Sequence, residues 1–376
     1  MRLSIKTLAA LALAVALPGL TLGQYVRKDL VTDSGTGGSV QNPHLVNAWG
    51  LVSTGTSPFW VSDNGTGLST LYSISNSSGV ASTTLGLVVS IPWVSGGLGS
   101  PTGIVAAETP AGVTAFAISG VNPITGMHAS ANSIFIFSTL DGTISGWNPA
   151  VGGISATGAS TATLAADRSP VGATYTGLAI ATNNGKTFLY AADDGPNRRV
   201  DVFDSTFQLA DLGPDAFVDS KIPKKFAPYG IQTITDADGV QTIWVTYTAL
   251  DKSQGGFVDS FTTAGVLKSH FALHGPLHSP WGVALAPADF GPMSDAILVT
   301  NNTSRGRINA FDPKTGAFLG PLRDGSGKPI EIDGLWAIQF GQGGVAGANG
   351  NPNQLFFTAG DNNYGSGIFG VITFGQ

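Results

Sequence analysis

The chain has 376 residues and a formal net charge of −6, and charged residues make up only 11% of it. It contains 52 glycines and no cysteine, which excludes disulfide bonds and thiol chemistry. An acidic chain without a basic cluster is unsuited to nucleic acid or to an anionic membrane surface. Few charges and much glycine, serine, threonine and valine favour β-sheet and turns.

The first residues have the pattern of a secretory signal peptide. Arg2 and Lys6 precede an apolar run from Leu8 to Leu17, and Pro18 and small residues follow. We therefore predict a signal peptide at 1–23 and a secreted, extracellular mature chain with one domain at 24–376. No membrane insertion is expected, because no stretch approaches the roughly 20 apolar residues that a spanning helix needs.

One motif recurs along the chain: a small residue, Pro, any residue, Gly and a branched aliphatic residue. It is written SPTGI from Ser100, APYGI from Ala227 and SPWGV from Ser279, with weaker copies NAWGL, TYTGL and GLWAI. The anchor positions are separated by 53, 74, 53, 52 and 55 residues, and they are Gly50, Gly103, Gly177, Gly230, Gly282 and Ala337. Repeats of this length are typical of propeller blades or solenoid turns.

Each copy precedes short apolar runs divided by Asp, Asn and Gly, a pattern of antiparallel strands with tight turns. Second runs begin at Phe59, Ile134, Phe188, Ile243, Ile297 and Leu355. Third runs begin at Leu68, Thr143, Arg198, Gly255, Gly306 and Gly367. A fourth, more variable run follows in most copies, as at Thr83 and Leu267. The chain is therefore predicted to be an all-β, six-bladed β-propeller with four-stranded antiparallel blades.

The last unit has no fourth strand, while the segment Tyr25–Val31 precedes the first unit. We predict that this N-terminal strand completes the sixth blade and closes the ring. The motif then begins each innermost strand, where Gly permits close backbone approach and Pro can open a strand. In the long second unit we place an insertion at 152–169 and predict a mobile loop from its small residues.

Several long runs carry a family resemblance. NPHLVNAWGL, PFWVSDNGTGLSTLY, SPWGVALAPADFG and GRINAFDPKTGAFLGPL resemble an uncharacterised family of secreted six-bladed propellers over nearly the whole mature chain. More distantly, the unit is similar to NHL-repeat and gluconolactonase-type propellers. The latter resemblance implies a metal-dependent lactonase with Glu, Asn and Asp ligands near the starts of inner strands. Those ligands do not carry over to the residues before the anchors, which are Trp49, Thr102, Thr176, Tyr229, Trp281 and Trp336.

The candidate ligand-binding residues Trp49, Tyr229, Trp281 and Trp336 precede anchors and should lie near the axis. Because adjacent strands are antiparallel, the same face should carry the loop tips after the second strands. These tips are Asp63, Asn64, Asp193, Asp194, Asn301, Asn302, Asp361 and Asn362. Aromatic plates beside Asp and Asn suit a sugar-like ligand. Alternatively, the rings plug the channel and the polar residues serve the turns.

Three further residues are candidates for the same face. His44 and His278 each lie shortly before an inner strand and could act together in acid/base chemistry or metal binding, although the shared position could be coincidence. Asp333 is the carboxylate nearest to an inner-strand start, and is the first candidate for a metal ligand or an acid/base residue. His128, His270 and His274 show no shared spacing with that pair.

Calcium is the one cofactor for which the sequence offers turns, at 236–239 and 361–367. Neither turn continues to the Glu of an EF-hand loop. The sequons at Asn64, Asn76, Asn301 and Asn302 would accept glycans in a eukaryotic host.

The sequence lacks the GxSxG, HExxH and P-loop signatures, it has no GxGxxG set between a strand and a helix, and no catalytic residue is assigned. We expect a monomeric binding or scaffold protein for a carbohydrate-like or small organic ligand at one face of the ring. One alternative is a metal-dependent hydrolase of the lactonase type. A structural wall or matrix protein is another.

Overall fold

The computed structural model describes residues 24–75, 80–82, 86–251, 253–273, 275–343 and 349–375. The predicted signal peptide, the sequon at Asn76 and His274 lie outside these residues. Over the described ranges the chain is all-β, with two one-turn helical segments, α1 (Pro149–Gly152) and α2 (Asp361–Tyr364). Within those ranges no helix has the length and apolar character that crossing a membrane requires.

The first strands, β1 (Gln24–Thr32) and β2 (Val40–Gln41), belong to the last blade. Blade 1 runs outward from the axis as β3 (Ala48–Val52), β4 (Phe59–Asp63), β5 (Leu68–Ser75) and β7 (Val88–Ser90), and β6 (Val80–Ser82) pairs with β5. Blade 2 is β8 (Pro101–Ala106), β11 (Phe135–Thr139), β12 (Thr143–Trp147) and β14 (Thr163–Asp167). Between its first two strands lies a hairpin of β9 (Ala117–Val121) and β10 (His128–Asn132).

Blade 3 has three strands, β15 (Tyr175–Asn183), β16 (Lys186–Asp193) and β17 (Arg199–Phe203), and its fourth position holds a single bridge. Blade 4 is β18 (Phe226–Thr235), β19 (Gln241–Ala249), β20 (Phe257–Thr262) and β21 (Leu267–Leu273). Blade 5 is β22 (Pro280–Leu285), β23 (Ile297–Asn301), β24 (Ile308–Phe311) and β25 (Phe318–Pro321). Blade 6 is β26 (Leu335–Phe340), β27 (Leu355–Ala359), β28 (Ile368–Gly375) and β1.

The six-bladed propeller predicted from the sequence is thus confirmed, and so is its closure. Strand β1 pairs antiparallel with β28, from Gln24 opposite Gly375 to Thr32 opposite Ile368. The inner strands contact one another in the cyclic order β3, β8, β15, β18, β22, β26 and back to β3.

Burial explains why the blades assemble into a ring. Among the described residues, the buried apolar side chains form six clusters, each centred between one pair of adjacent blades, and the cluster between blades 6 and 1 extends to Trp281 at the axis. Between blades 1 and 2, for example, Trp60 stacks on Phe135 with ring centroids 4.0 Å apart. Each sheet therefore buries both of its faces against neighbours, which is how a repeat that has no core of its own becomes stable.

The position predicted for the insertion is wrong. Residues 152–169 hold β13 (Ala159–Thr161), which pairs in parallel with β7 of the neighbouring blade, and β14, the outer strand of blade 2. The additional residues of this unit are instead the β9–β10 hairpin, inserted between the inner strand and the second strand. Small residues at 159–167 form strands because each segment has an ordered strand to pair with, β7 for β13 and β12 for β14.

Candidate functional site

Every inner strand has a β-bulge at the recurrent motif. In blade 5, Pro280 pairs with Asn301 and Val283 with Val299, so three steps along β22 match two along β23. The other five inner strands carry one extra residue at the same place. A bulge changes the side of the strand from which the following side chains project. Each motif thereby directs two residues to the axis, the one before the anchor and the one two places after it. These two residues lie near opposite ends of the channel.

The anchor glycines are needed because the next inner strand passes very close. A Cβ atom at Gly230 would lie 2.0 Å from the carbonyl oxygen of Trp281, and one at Gly50 would lie 2.4 Å from that of Thr102. Hydroxyl groups of the second strands join the bulges to each other. Thr300 accepts a hydrogen bond from the Gly282 N–H at 2.7 Å and donates one to the Trp336 carbonyl at 2.8 Å. The close backbone approach predicted for Gly in this motif is therefore confirmed.

The four candidate aromatic residues Trp49, Tyr229, Trp281 and Trp336 meet at the axis, and we term them the aromatic plug. Trp49 and Trp336 stack with ring centroids 3.6 Å apart, and Trp281 contacts both rings edge-on at 6.3 and 6.0 Å. The three tryptophans are 6, 3 and 2% exposed in the order Trp49, Trp281 and Trp336. Only Tyr229 of the four is partly exposed.

This packing corrects the expectation of separate aromatic plates open to a ligand. The rings fill the channel and contact one another, which was the alternative interpretation of the motif. Tyr364 lies over the outside of the plug, 5.8 Å from the Trp336 ring, and is 40% exposed. Its hydroxyl donates a hydrogen bond to Asn302 Oδ1 at 2.8 Å. The aromatic surface that remains at this end of the axis is therefore formed by tyrosine.

Acidic groups surround the outer end of the plug. Burial, with a contribution from the adjacent Asp193 charge, raises the pKa of Asp194 to about 6. Burial raises the pKa of Tyr229, and the Asp194 charge adds to this effect. The pKa of Tyr364 is raised by burial first and by the charge of Asp333 second. Asp333 is partly buried, and its charge acts on the Tyr364 hydroxyl.

Most of the other loop-tip residues hold the loops in place. Asp193 accepts hydrogen bonds from the backbone N–H groups of Thr174 and Gly195. The buried amides of Asn301 and Asn302 donate to the carbonyls of Pro276 and Leu335. Both amides are therefore used within the folded chain.

The two candidate histidines, His44 and His278, have different surroundings. His44 is exposed, and the Asn42 side chain caps its backbone N–H. His278 is partly buried and lines a cavity of about 430 Å³ in blade 5. The same cavity is lined by Arg305, Arg307 and Arg323, so it is cationic although the chain as a whole is acidic. Glu331 pairs with Arg305 at 2.7 Å and with Arg307 at 2.6 Å, so this one carboxylate offsets one of the three positive charges.

The two turns considered for calcium use their oxygens locally. Asp236 Oδ1 accepts hydrogen bonds from the backbone N–H groups of Asp238 and Val240, which is an ordinary Asx turn. At 361–367, the backbone of Asn362, Asn363 and Tyr364 has positive φ. Burial raises the pKa of Asp361, with the charges of Asp33 and Asp333 contributing.

A second cavity opens at the opposite end of the axis. It has a volume of about 840 Å³ and is formed by the final residues of all six inner strands, so we term it the axial funnel. Residues two places after each anchor line it, and these are Val52, Val105, Ala179, Gln232, Ala284 and Gln339. Its other side chains are partly aliphatic and partly polar, with hydroxyls at Ser53, Thr182, Thr187, Thr233 and Thr235 and amides at Gln241 and Gln342.

Two glutamines in the funnel were missed by the sequence reasoning. Gln339 donates to Ser53 Oγ at 3.3 Å, while its buried Oε1 atom has no hydrogen-bond donor among the described residues. Gln232 accepts a hydrogen bond from the Val283 N–H at 3.1 Å. A signal was available, because the position two after the anchor is Val or Ala in four units and Gln in the other two.

Comparison with known proteins finds relatives without an assigned activity. No family model matches the chain. An uncharacterised protein of Acanthamoeba polyphaga mimivirus is 33% identical over 221 residues, which are 55% of this chain and 38% of that relative. A second uncharacterised protein of the same virus is 28% identical over 341 residues, covering 88% of this chain and 81% of the relative. The chain thus spans well under half of the first relative and most of the second.

Two solved structures resemble the fold. The soluble aldose sugar dehydrogenase of Escherichia coli, in its apo form, gives a TM-score of 0.48 at 12% identity and covers 94% of this chain and 100% of its own. A streptogramin B lyase structure gives 0.47 at 12% identity, covering 94% and 98%. These results agree with the resemblance to an uncharacterised family of propellers. The activity of this chain has to be argued from its own residues.

Proposed function

We propose that this chain is a secreted, monomeric binding protein for a small, uncharged, hydroxyl-rich organic molecule, such as a carbohydrate, which occupies the axial funnel. The observation that carries the proposal is the cavity of about 840 Å³ with the unsatisfied Gln339 Oε1 atom in its wall. Small-molecule sites are typically concave, of roughly 300–1,000 Å³, and mostly apolar with a few convergent polar groups.

The chemistry of the lining supports this ligand class. A buried carbonyl oxygen without a donor is costly, and a rotation of the Gln339 side chain that brings its Oε1 atom to a ligand hydroxyl would remove that cost. Gln232 uses its Oε1 atom within the protein, which leaves its amide N–H groups to donate to a ligand oxygen. The aliphatic side chains between the two glutamines can cover the C–H faces of a sugar ring.

The charge of the lining selects against anions. Among the described residues that line the funnel there is one carboxylate, Glu108, and no Lys, Arg or His. An anionic ligand would therefore leave its charge without a partner when it enters a partly apolar cavity. We expect neutral sugars and polyols to bind better than uronates or sugar phosphates.

A glycan and polyol screen followed by calorimetry tests the proposal. Gln339→Leu keeps the approximate size of the side chain but removes both hydrogen-bonding groups, and should weaken binding about tenfold, the loss of roughly one net hydrogen bond. Gln208→Leu is the matched control, because Gln208 is exposed outside the funnel. Equal affinities of the parent and Gln339→Leu for a ligand found in the screen would contradict a site in the funnel.

A hydrolase at the other end of the axis is the second candidate function. It is favoured by Asp194, whose pKa of about 6 suits a general acid or base, beside the hydroxyl of Tyr229. A panel of lactones and esters, assayed with the parent and with Asp194→Asn, tests it. Turnover that is lost in Asp194→Asn would support this alternative, and turnover that is retained would exclude Asp194.

A further inference from the structure

A cluster of ionisable side chains lies in blade 4, away from both ends of the axis. Asp259 on β20 and His270 on β21 are opposite each other in the strand register. Asp219 reaches them from the segment that joins blade 3 to blade 4. We term these three residues the blade 4 cluster. None of them was a candidate in the sequence, where His270 has no spacing in common with the other histidines.

The three side chains converge on one nitrogen atom. His270 Nδ1 lies 2.8 Å from Asp259 Oδ1 and 2.7 Å from Asp219 Oδ2. One nitrogen carries at most one hydrogen, so it can donate fully to only one of the two carboxylates. The hydrogen bond is made to Asp259, and Asp219 Oδ2 has no hydrogen-bond donor among the described residues despite its short distance.

The cluster is also removed from water. The side chains of Asp219, Asp259 and His270 are 3, 0 and 13% exposed. The second oxygen of Asp259 is buried as well and makes no hydrogen bond of good geometry with the described residues, although the nearby Tyr247 hydroxyl helps to lower the pKa of Asp259. Two buried carboxylates against at most one imidazolium leave a net negative charge, which is unfavourable without a further cation. Burial also raises the pKa of Asp259 to about 6.

We propose that Asp219, Asp259 and His270 bind one divalent transition-metal ion, through the two carboxylates and the Nδ1 atom of the imidazole. The three ligand atoms lie within 4.8 Å of one another, so a single ion can contact all of them after small adjustments. One imidazole nitrogen with two carboxylates suits Zn²⁺ or Mn²⁺, whereas Ca²⁺ prefers an all-oxygen shell.

The ion would explain features of the cluster that protein groups leave unexplained. It supplies positive charge to both carboxylates and a partner to the Asp219 oxygen. Binding requires neutral imidazole and ionised carboxylates, so metal competes with protons at this site. Because Asp219 belongs to the connecting segment and the other two ligands to the blade, the ion would fasten this segment to the outer strands of blade 4.

Metal titration of the untagged protein tests the proposal. After dialysis against EDTA and then against chelator-free buffer, ZnCl₂, MnCl₂ and CaCl₂ are each titrated by calorimetry, and the Tm is measured at each endpoint. We expect about one Zn²⁺ or Mn²⁺ per chain with a raised Tm, and a weaker response to Ca²⁺. Absence of binding and of any Tm change with both transition metals would overturn the proposal.

Two variants tie the metal to these residues. Asp259→Asn removes one of the two facing carboxylates, so the metal-free variant should melt at or above the Tm of the metal-free parent, while its response to Zn²⁺ or Mn²⁺ is lost. Asp219→Asn tests the same site, and its response to Zn²⁺ or Mn²⁺ should also be lost. Because Asp219 lies in the connecting segment and not in a strand, this substitution should disturb the sheet less. Asp251→Asn is the control, because this exposed residue lies outside the cluster, where it forms an ion pair with Lys225 at 3.5 Å and accepts a hydrogen bond from the Ser253 N–H. Metal binding retained by both cluster variants would place the ion elsewhere.

Discussion

The indole nitrogen of Trp281 donates a hydrogen bond across the axis to the backbone carbonyl of Thr176, at 2.9 Å. Trp281 begins the inner strand of blade 5 and Thr176 that of blade 3, so the bond joins two blades that are not neighbours. Thr176 carries no ring, although it occupies the same motif position as the tryptophans. The small residues on one side of the axis leave room for the large rings on the other.

Trp281→Phe should destabilise the fold by about 1–3 kcal/mol, because phenylalanine fills part of the space but leaves the Thr176 carbonyl without its donor. Urea unfolding gives the free energy of unfolding for comparison. Trp93→Phe is the control, since Trp93 is 41% exposed and its loss should cost less than about 0.5 kcal/mol. Similar losses in both variants would contradict the role of the axial bond.

Gly230→Ala should be among the most damaging single-methyl changes in the chain. The added Cβ would lie 2.0 Å from the Trp281 carbonyl oxygen, which is backbone and cannot turn away. We expect a loss of about 1–3 kcal/mol or failure to fold. Gly55→Ala is the matched control, because no atom lies within 4 Å of its added Cβ. Thermal melts should therefore give a Tm for Gly230→Ala that is clearly below the Tm of Gly55→Ala.

Closure of the ring can be tested at Tyr25, on strand β1. Its hydroxyl donates to the Phe290 carbonyl at 2.7 Å and accepts from the Met293 N–H at 3.1 Å. Tyr25→Phe leaves the Phe290 carbonyl and the Met293 N–H without this partner in a largely buried site. We therefore expect the free energy of unfolding to fall by about 1–3 kcal/mol. Tyr364→Phe removes a hydroxyl bond at a 40% exposed residue, where water can replace it, and should be nearly neutral. The prediction fails if denaturant midpoints of the two variants coincide.

Asp194 should make stability depend on pH. Its pKa rises from 3.8 to about 6 on folding, so the folded protein holds this proton more tightly than the unfolded chain. The resulting stability is present at low pH and is lost as the pH rises from about 4 through 6.

Asp194→Asn removes this titration and should be about 1 kcal/mol more stable than the parent at pH 7.5, with little difference at pH 4. The exposed Asp238 offers Asp238→Asn as the control. Unfolding free energies of the three proteins at both pH values decide the matter, and parallel pH slopes for Asp194→Asn and the parent would contradict the assignment.

The fold was predictable because the repeat can be recognised in the sequence. Gly50, Gly103 and their equivalents recur at blade intervals, and a strand before the first unit completes the last. The interval alone does not say where within a unit extra residues lie, which is why the insertion in blade 2 was misplaced. The hairpin at 117–132 and the strands at 159–167 have equally small, polar sequences, and only neighbouring strands distinguish them.

The site was predictable only in part. The motif correctly brought Trp49 and Trp336 to the axis, but whether two rings stand apart or touch depends on how closely the inner strands approach. The funnel glutamines Gln232 and Gln339 project to the axis because of the bulge, and a simple two-residue strand period assigns them to the wrong side. Asp219, Asp259 and His270 come together from separate segments, and their spacing in the sequence does not predict this proximity.

The pairing of β1 with β28 also constrains how the molecule folds. Blades 1 to 5 are each continuous in sequence and can form as their own residues become available, whereas blade 6 joins the first described strand to the last. Contacts between such distant segments form slowly, because a large loop must close before they contribute any stability. Until then β1 is an unpaired edge, open to pairing with another chain. We therefore expect ring closure to be the slow step of refolding and the stage at which aggregation competes.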